Sequence, residues 1–260
     1  MIPSPIDLSA TRILVTNDDG IYAPGLAVLE QIARSLSDDI WVVAPETEQS
    51  GAGHSLTLQR PLRVNELGPK RFAVNGTPTD CVMLAVKELM KDRRPALLLS
   101  GVNRGGNLGE DITYSGTVAA AMEGTLLSVP SIALSLVTQD NEEPRWATPL
   151  RHAGDIIRRL VAAPWPANTL MNVNFPDCEP DQVIAIRAVR QGQRKISGGM
   201  VKNIDPRGRP YYWVGTAREE DASAPGTDIN VVYGGAIAVT PISMDLTHHA
   251  ALAELGPVFP

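Results

Sequence analysis

Four short polar stretches hold the residue types from which a reactive site could be assembled. They are Asn17-Asp18-Asp19-Gly20, Ser50-Gly51-Ala52-Gly53-His54-Ser55, Asn75-Gly76-Thr77-Pro78-Thr79-Asp80 and the run from Asn103 to Thr117. The first follows the apolar run Ile13-Leu14-Val15. Side chains alternate across a strand, so Asp18 and Asp19 would face opposite sides of a sheet and converge only past the strand end. Gly20 permits a tight turn there, because glycine takes a positive φ without a Cβ penalty. Paired carboxylates with hydroxyl and amide oxygens make a hard, all-oxygen environment, suited to Mg²⁺ or Mn²⁺ rather than zinc. Gly105, Gly106, Gly109 and Gly116 let backbone N–H groups approach an anion, and Ser115-Gly116-Thr117 at a helix start adds hydroxyl donors and the helix dipole. A metal beside an anion nest points to phosphate ester chemistry.

Each stretch also has an ordinary reading. An Asp-Asp pair after a strand serves well as a solvated turn, Ser50 as a loop serine, and the glycines of 101 to 116 as turn residues. Thr77-Pro78-Thr79-Asp80 reads equally as a helix cap, with Thr77 as N-cap, Pro78 at the first helical position and Asp80 complementing the dipole. His54 reads as a general acid or, preferably, a loop residue, and His248-His249 as surface. Several familiar sites are absent. Gly105-Gly106-Asn107-Leu108-Gly109 lacks the dinucleotide-binding spacing, and no glycine stands in register before a Lys-Ser or Lys-Thr pair. A phospho-aspartate site would want Asp-x-Asp after the first strand, where position 20 is glycine, and no G-x-S-x-G elbow occurs.

The elements that must carry these stretches alternate. Strand-like runs at Arg12 to Thr16, Ile40 to Pro45, Ala96 to Ser100 and Pro130 to Ser135 are separated by helical patterns over Pro24 to Leu36, Pro78 to about Lys91 and Gly116 to Leu127. This spacing predicts parallel β-α-β units and a three-layer α/β sandwich. In such a sheet the strand ends share one edge, so all four polar stretches can meet. Leu56 to Leu67 is expected to form an antiparallel excursion with Arg71 to Val74, and Gly101 to Ser115 a loop. Beyond Val137 come a solvated loop at 139–144, a helix over Trp146 to Ala162 and a strand over Thr169 to Phe175. From 182 to 235 short strands mix with glycines and charges, Tyr211-Tyr212-Trp213-Val214 forms an isolated aromatic strand, and Ala236 to Ile242 is a last strand. The division expected is a leader at 1–10, a core at 11–180 that carries the site, and a C-terminal excursion and tail at 181–260, with the strand near 236–242 returning to the fold.

With 260 residues the chain can bury a large core without disulfides; Cys81 and Cys178 are its only cysteines and fit a reduced compartment. A net charge of −6 argues against polymeric nucleic acid as a dedicated partner. The N-terminus lacks the pattern of a signal peptide and no stretch is long and apolar enough to span a bilayer, so a cytoplasmic protein is expected.

Four motifs, in order and spacing, resemble the SurE family of stationary-phase survival nucleotidases. They are Ile13 to Gly25, Ser50-Gly51-Ala52, Asn75 to Val82, and Ser100 to Asp111 with Tyr114 to Ala121; the likeness covers about residues 11 to 245. The resemblance implies a Rossmann-like core, a C-terminal region exchanged between subunits in a homo-oligomer (dimer or tetramer), and a metal-dependent 5′-nucleotidase, often also active on 3′-nucleotides and short polyphosphate. By motif it implies one divalent ion per subunit, Mg²⁺ or Mn²⁺, held by Asp18, Asp19, Ser50 and Asn103, with Asn107, Ser115, Gly116 and Thr117 around the phosphate. Asp18 or Asp19 would orient or deprotonate the attacking water; Thr77, Asp80 and His54 are candidate substrate contacts. The leader before Arg12 and His54 depart from the family pattern. Two other readings use the same pocket: a nucleotide-binding regulatory module without turnover, and a metal-dependent glycosyltransferase-like enzyme.

Overall fold

A computed structural model describes residues 5–138, 142–196, 199–215 and 218–259. The first half of the chain gives β1 (Arg12–Thr16), α1 (Pro24–Arg34), β2 (Asp39–Pro45), β3 (Val64–Gly68), β4 (Arg71–Val74), α2 (Pro78–Leu84), β5 (Leu97–Arg104), α3 (Gly116–Leu126) and β6 (Ser131–Leu136). The second half gives α4 (Ala147–Ala162), β7 (Thr169–Phe175), β8 (Ile186–Ala188), β9 (Arg194–Ile196), β10 (Met200–Ile204), β11 (Pro210–Val214), β12 (Arg218–Glu220), α5 (Asp228–Tyr233), β13 (Ile237–Ser243) and α6 (His249–Leu255). A nine-stranded sheet runs β3-β4-β2-β1-β5-β6-β7-β13-β8. From β4 to β7 all neighbours are parallel, whereas β3 and β13 run antiparallel to β4 and β7.

Alternation along the central strands explains the layers. Ile13 and Val15 of β1 face the core beneath α1 and α4, packing with Leu26, Leu29 and Ile157. Leu14 faces the opposite core, with Val82 of α2 and Val118 and Ala121 of α3. Both faces of β1 are therefore covered, as a nearly continuous apolar strand requires. The small residues of α3 let it approach the sheet closely: a Cβ on Gly124 would lie 2.8 Å from Leu98 Cδ1.

Several elements differ from expectation. β5 does not stop at Ser100 but continues through Arg104, so Asn103 sits on a strand end and not in a loop. The β5–β6 register shifts between Ser100 and Asn103, and Gly101 has φ +130° with no room for a Cβ against the Leu134 carbonyl, so a bulge carries the strand onward. The β3–β4 hairpin is not a separate excursion; β4 pairs with β2 and makes the hairpin the sheet's edge. After Leu84 the α2 segment continues as a π-helix over Ala85–Leu89. Helices α5 and α6 fall where short strands and tail were read. The aromatic strand β11 does have a partner, pairing antiparallel with β10, yet every residue of both strands is exposed. Of the acidic loop at 139–144, residues 139–141 lie outside the described residues, as do residues 1–4 of the leader.

Candidate active site

The connection from β1 leads to β2 on one side, while the later β5 pairs on the other. A crevice therefore opens between the carboxyl ends of β1 and β5, the place where open α/β sheets bind ligands. Three of the four polar stretches meet there, and backbone hydrogen bonds stitch them together. Gly20 takes φ +103° and Asn17 Nδ2 donates to its carbonyl at 2.9 Å, closing the turn that carries Asp18 and Asp19. Gln49 N–H donates to the Asp18 carbonyl at 2.8 Å, and Gly53 N–H to the Tyr114 carbonyl at 3.1 Å. The result is a cleft of about 280 Å³ whose walls include Asp18, Ser50, Asn103, Asn107 and Ser115.

Asp18 is the most constrained of these groups, at 4% exposure. Thr117 Oγ1 donates to its Oδ1. A Cβ on Gly116 would stand 2.7 Å from Asp18 Cβ and 2.9 Å from Oδ2, so only glycine lets the start of α3 lie against this carboxylate. Gly116 and Thr117 thus stand behind Asp18, while Ser115 caps α3 by accepting from Val118 N–H at 3.0 Å. Burial pushes the Asp18 carboxyl up, with the Thr117 hydroxyl opposing. Burial and then the Asp18 charge push half-buried Asp19 up to about 7, with the Arg104 main chain opposing. Asn103 Nδ2 donates to the Gly105 carbonyl at 2.8 Å, which commits its amide nitrogen to the loop and leaves its oxygen as the atom available to a ligand.

A buried and a half-buried carboxylate, each raised by burial and by neighbouring negative charge, beside neutral oxygens fit a hard divalent cation, whose charge would relieve that repulsion. Among the described residues no group of three or more His, Cys, Asp and Glu could hold a metal, so an imidazole- or thiolate-rich centre is not built here. Ser50 is exposed and donates to Glu48 Oε1 at 2.8 Å. Glu48, which sequence reasoning passed over, adds its negative charge to both aspartates.

The other candidates stand apart from the cleft walls. Asp80 is wholly buried; its Oδ2 accepts from Thr77 N–H at 2.9 Å and its Oδ1 from Thr57 N–H at 3.1 Å. Thr77 Oγ1 accepts from Asp80 N–H at 3.1 Å, completing a reciprocal cap on α2. This is the helix-cap reading, and it leaves neither residue facing the cleft. His54 pairs through Nε2 with Glu123 Oε2 of α3 at 3.1 Å, tying its loop to that helix.

A further set was not picked out from the sequence. Asn174 Oδ1 accepts from Asn107 N–H at 2.8 Å, and the amides of Asn172 and Asn174 donate to the Asn107 carbonyl at 2.8 and 3.1 Å. Asn107 Nδ2 in turn donates to Ser135 Oγ at 2.8 Å. The signal was present, since two asparagines two apart in an otherwise apolar strand share one face and cannot be buried without partners.

Comparison with known proteins bears on the fold and the family. The family model described as Survival protein SurE matches residues 13–198. The 5′-nucleotidase SurE of Paramagnetospirillum magneticum is 56% identical over 257 residues, covering 99% of each chain. That of Rhodospirillum rubrum is 55% identical, covering 98% of this chain and 99% of its own. The crystal structure of the SurE protein from Aquifex aeolicus superposes with a TM-score of 0.82 at 38% identity, covering 96% of this chain and all of that one. On the motifs, the sheet and these likenesses together, the chain belongs to the Survival protein SurE family.

Proposed function

We propose that the protein is a 5′-nucleotidase, a divalent-metal-dependent phosphomonoesterase that converts nucleoside 5′-monophosphates to nucleoside and phosphate, with 3′-monophosphates and short polyphosphate as further substrates. The observation that carries this reading is the cleft at the β1/β5 crevice, where Asp18 shares walls with Asn107 and Ser115 and the start of α3 lies alongside. The name 5′-nucleotidase SurE borne by relatives of more than half identity supports it.

In this reading Asp18, Asp19, Ser50 and Asn103 hold one Mg²⁺ or Mn²⁺ per subunit. The ion, when bound, supplies charge neutralisation at the phosphate and a lowered pKa for water. Asn107 and Ser115 orient the phosphate, with Gly116 and Thr117 supporting Asp18 behind it. Arg104, a basic side chain in the cleft wall, offsets part of the negative charge there. Asp18 or Asp19 orients or deprotonates the attacking water.

A phosphate-release screen over nucleotides, with and without EDTA, tests class, metal and substrate together. Folded Asp18→Asn and Asp19→Asn proteins that released phosphate at the wild-type rate with Mn²⁺ would overturn the site assignment. Tight nucleotide binding without release under any metal would favour the regulatory module instead.

The reading includes a cytoplasmic homo-oligomer, dimer or tetramer, and no membrane partner. Among the described residues no helix is long and apolar enough to cross a membrane. Association is supported by the exposed apolar side chains of β10 and β11, Trp213 among them at 67% exposure, and by Leu252, Leu255 and Phe259 in and beyond α6. A solely monomeric protein in sedimentation at micromolar concentration would remove it.

A further inference from the structure

The loop from Gly105 to Ser115 is held on one side by β6 and β7, through Ser135, Asn172 and Asn174. Its other side leans on a segment more than 70 residues away in sequence, and the contact there is built around one carboxylate. Asp228, at the start of α5, is wholly buried. Its Oδ2 accepts from Gly109 N–H at 3.0 Å, while its Oδ1 accepts from Gly192 N–H at 2.7 Å and from its own neighbour Ile229 at 2.8 Å. A buried carboxylate that accepts three backbone N–H groups makes charge-assisted bonds, roughly twice as strong as neutral ones.

The surroundings leave no slack. Gly192 cannot carry a larger side chain without pressing on the same group, since a Cβ there would lie 2.9 Å from Asp228 Oδ1. Gly109 takes φ +53°, and a Cβ on it would stand 2.8 Å from Arg194 Cβ. Arg194 N–H donates to Glu110 Oε2, and Arg194 Nε lies 3.4 Å from Asp111 Oδ2. One bond further on, the Asp111 carbonyl accepts from Tyr114 and Ser115 N–H at 3.0 and 3.1 Å. A chain of contacts therefore runs from Asp228 through Gly109 and Asp111 to Ser115, with Asn107 two residues before Gly109.

We infer that Asp228 is a positioning residue for the phosphate side of the cleft: it bolts the C-terminal arm to the loop that presents Asn107 and Ser115. The inference rests on the nucleotidase reading of that cleft. The groups assigned to the metal hang on β1, β2 and β5 and meet the bolted loop only at its two ends, Asn103 at Gly105 and the Ser50 stretch, through Gly53, at Tyr114. Loosening the bolt at Gly109, between those ends, therefore weakens phosphate recognition far more than metal binding.

The full-length Asp228→Asn protein tests this, because the amide turns an NH₂ toward a backbone N–H in place of an acceptor. With wild type in parallel, KM for a nucleoside 5′-monophosphate and the inhibition constant of inorganic phosphate are expected to rise about 10-fold or more, while the Mn²⁺ concentration for half activation moves less than about twofold. A purely structural loss would lower kcat with the fraction folded and leave both constants unchanged, and that result overturns the inference. Should Asp228→Asn fail to fold, Gly192→Ala is read the same way, since it keeps the carboxylate and only displaces it. Absence of phosphate release by the wild type would instead refute the nucleotidase reading, and titration with inorganic phosphate in the presence of Mn²⁺ still decides the bolt: weaker binding to the variant supports it and equal binding sinks it.

Discussion

Replacing Asp19 by asparagine removes one of two carboxylates that burial and neighbouring negative charge hold above their ordinary range. In the metal-free protein Asp19 is pushed from 3.8 up to about 7. The gap of about 3 pH units, at about 1.36 kcal/mol each, makes ionised Asp19 cost the folded state about 4 kcal/mol. Well below the unfolded value of 3.8 both folded and unfolded chains hold the proton and the group contributes nothing. As pH rises toward 7 the unfolded chain ionises first, so the folded state binds more protons and loses stability until both are ionised. In EDTA at pH 8, Asp19→Asn is therefore expected to be more stable than wild type by about 1 to 4 kcal/mol. For a chain of this size that is a rise of several degrees in melting temperature, at about 2–4 °C per kcal/mol. The advantage should shrink toward zero as pH falls to 4. Adding Mn²⁺ shifts the balance back toward the wild type, because a ligand at 100 times its Kd stabilises it by about 2.7 kcal/mol and the variant much less. Activity of the variant should fall by about 10²-fold or more, since a catalytic ion is worth several kcal/mol. Thermal melts at pH 4, 6 and 8, with EDTA or Mn²⁺, are the assay. Equal stabilities in EDTA at every pH, together with an undiminished response of the variant to Mn²⁺, would refute the account of the pair as a strained cation site.

Gly116→Ala places a Cβ 2.7 Å from Asp18 Cβ; it should cost about 1–3 kcal/mol by overpacking and depress activity beyond that loss of stability, as melts and phosphate release on the same preparation will tell. Asp80→Ala removes the carboxylate half of the α2 cap, with its bonds to Thr77 and Thr57 N–H, and should lower stability by about 0.5–2 kcal/mol while leaving KM unchanged. A raised KM in that variant would return Asp80 to the substrate side. Trp213→Asp puts a charge on the exposed β10–β11 hairpin and should lower the sedimentation mass, whereas an unchanged mass would move the contact surface elsewhere.

Much of the molecule was legible locally. Apolar runs bounded by glycine, proline and capping residues located the strands and helices of the first half, because periodicity and turn chemistry act over a few residues. The cap of α2 was legible for the same reason. Asp18 and Asp19 were recognisable as a pair that must lie past a strand end, since pleating forbids convergence within one. The C-terminal third was less legible. Apart from β13, its strands are three to five residues long, and α5 spans only Asp228–Tyr233, too short for a helical period to separate from noise. The bulge at Gly101 was hidden because its cause, the carbonyl of Leu134 on the neighbouring strand, is remote in sequence.

Residue types and short-range spacing thus determined the α/β class, the family and the kinds of group available for chemistry. Only the tertiary structure decided which groups share a cleft, because the strand order opens the crevice between β1 and β5 and long-range hydrogen bonds draw the loops across it. It also decided the two faces of the loop around Asn107. One is set by asparagines on β7 and the other by Asp228 within the C-terminal excursion, and partners 65 to 119 residues apart leave no spacing for a sequence to reveal. The acidity of Asp19 was likewise decided there, since it follows from burial and from a neighbouring charge held in place, neither of which exists in the unfolded chain.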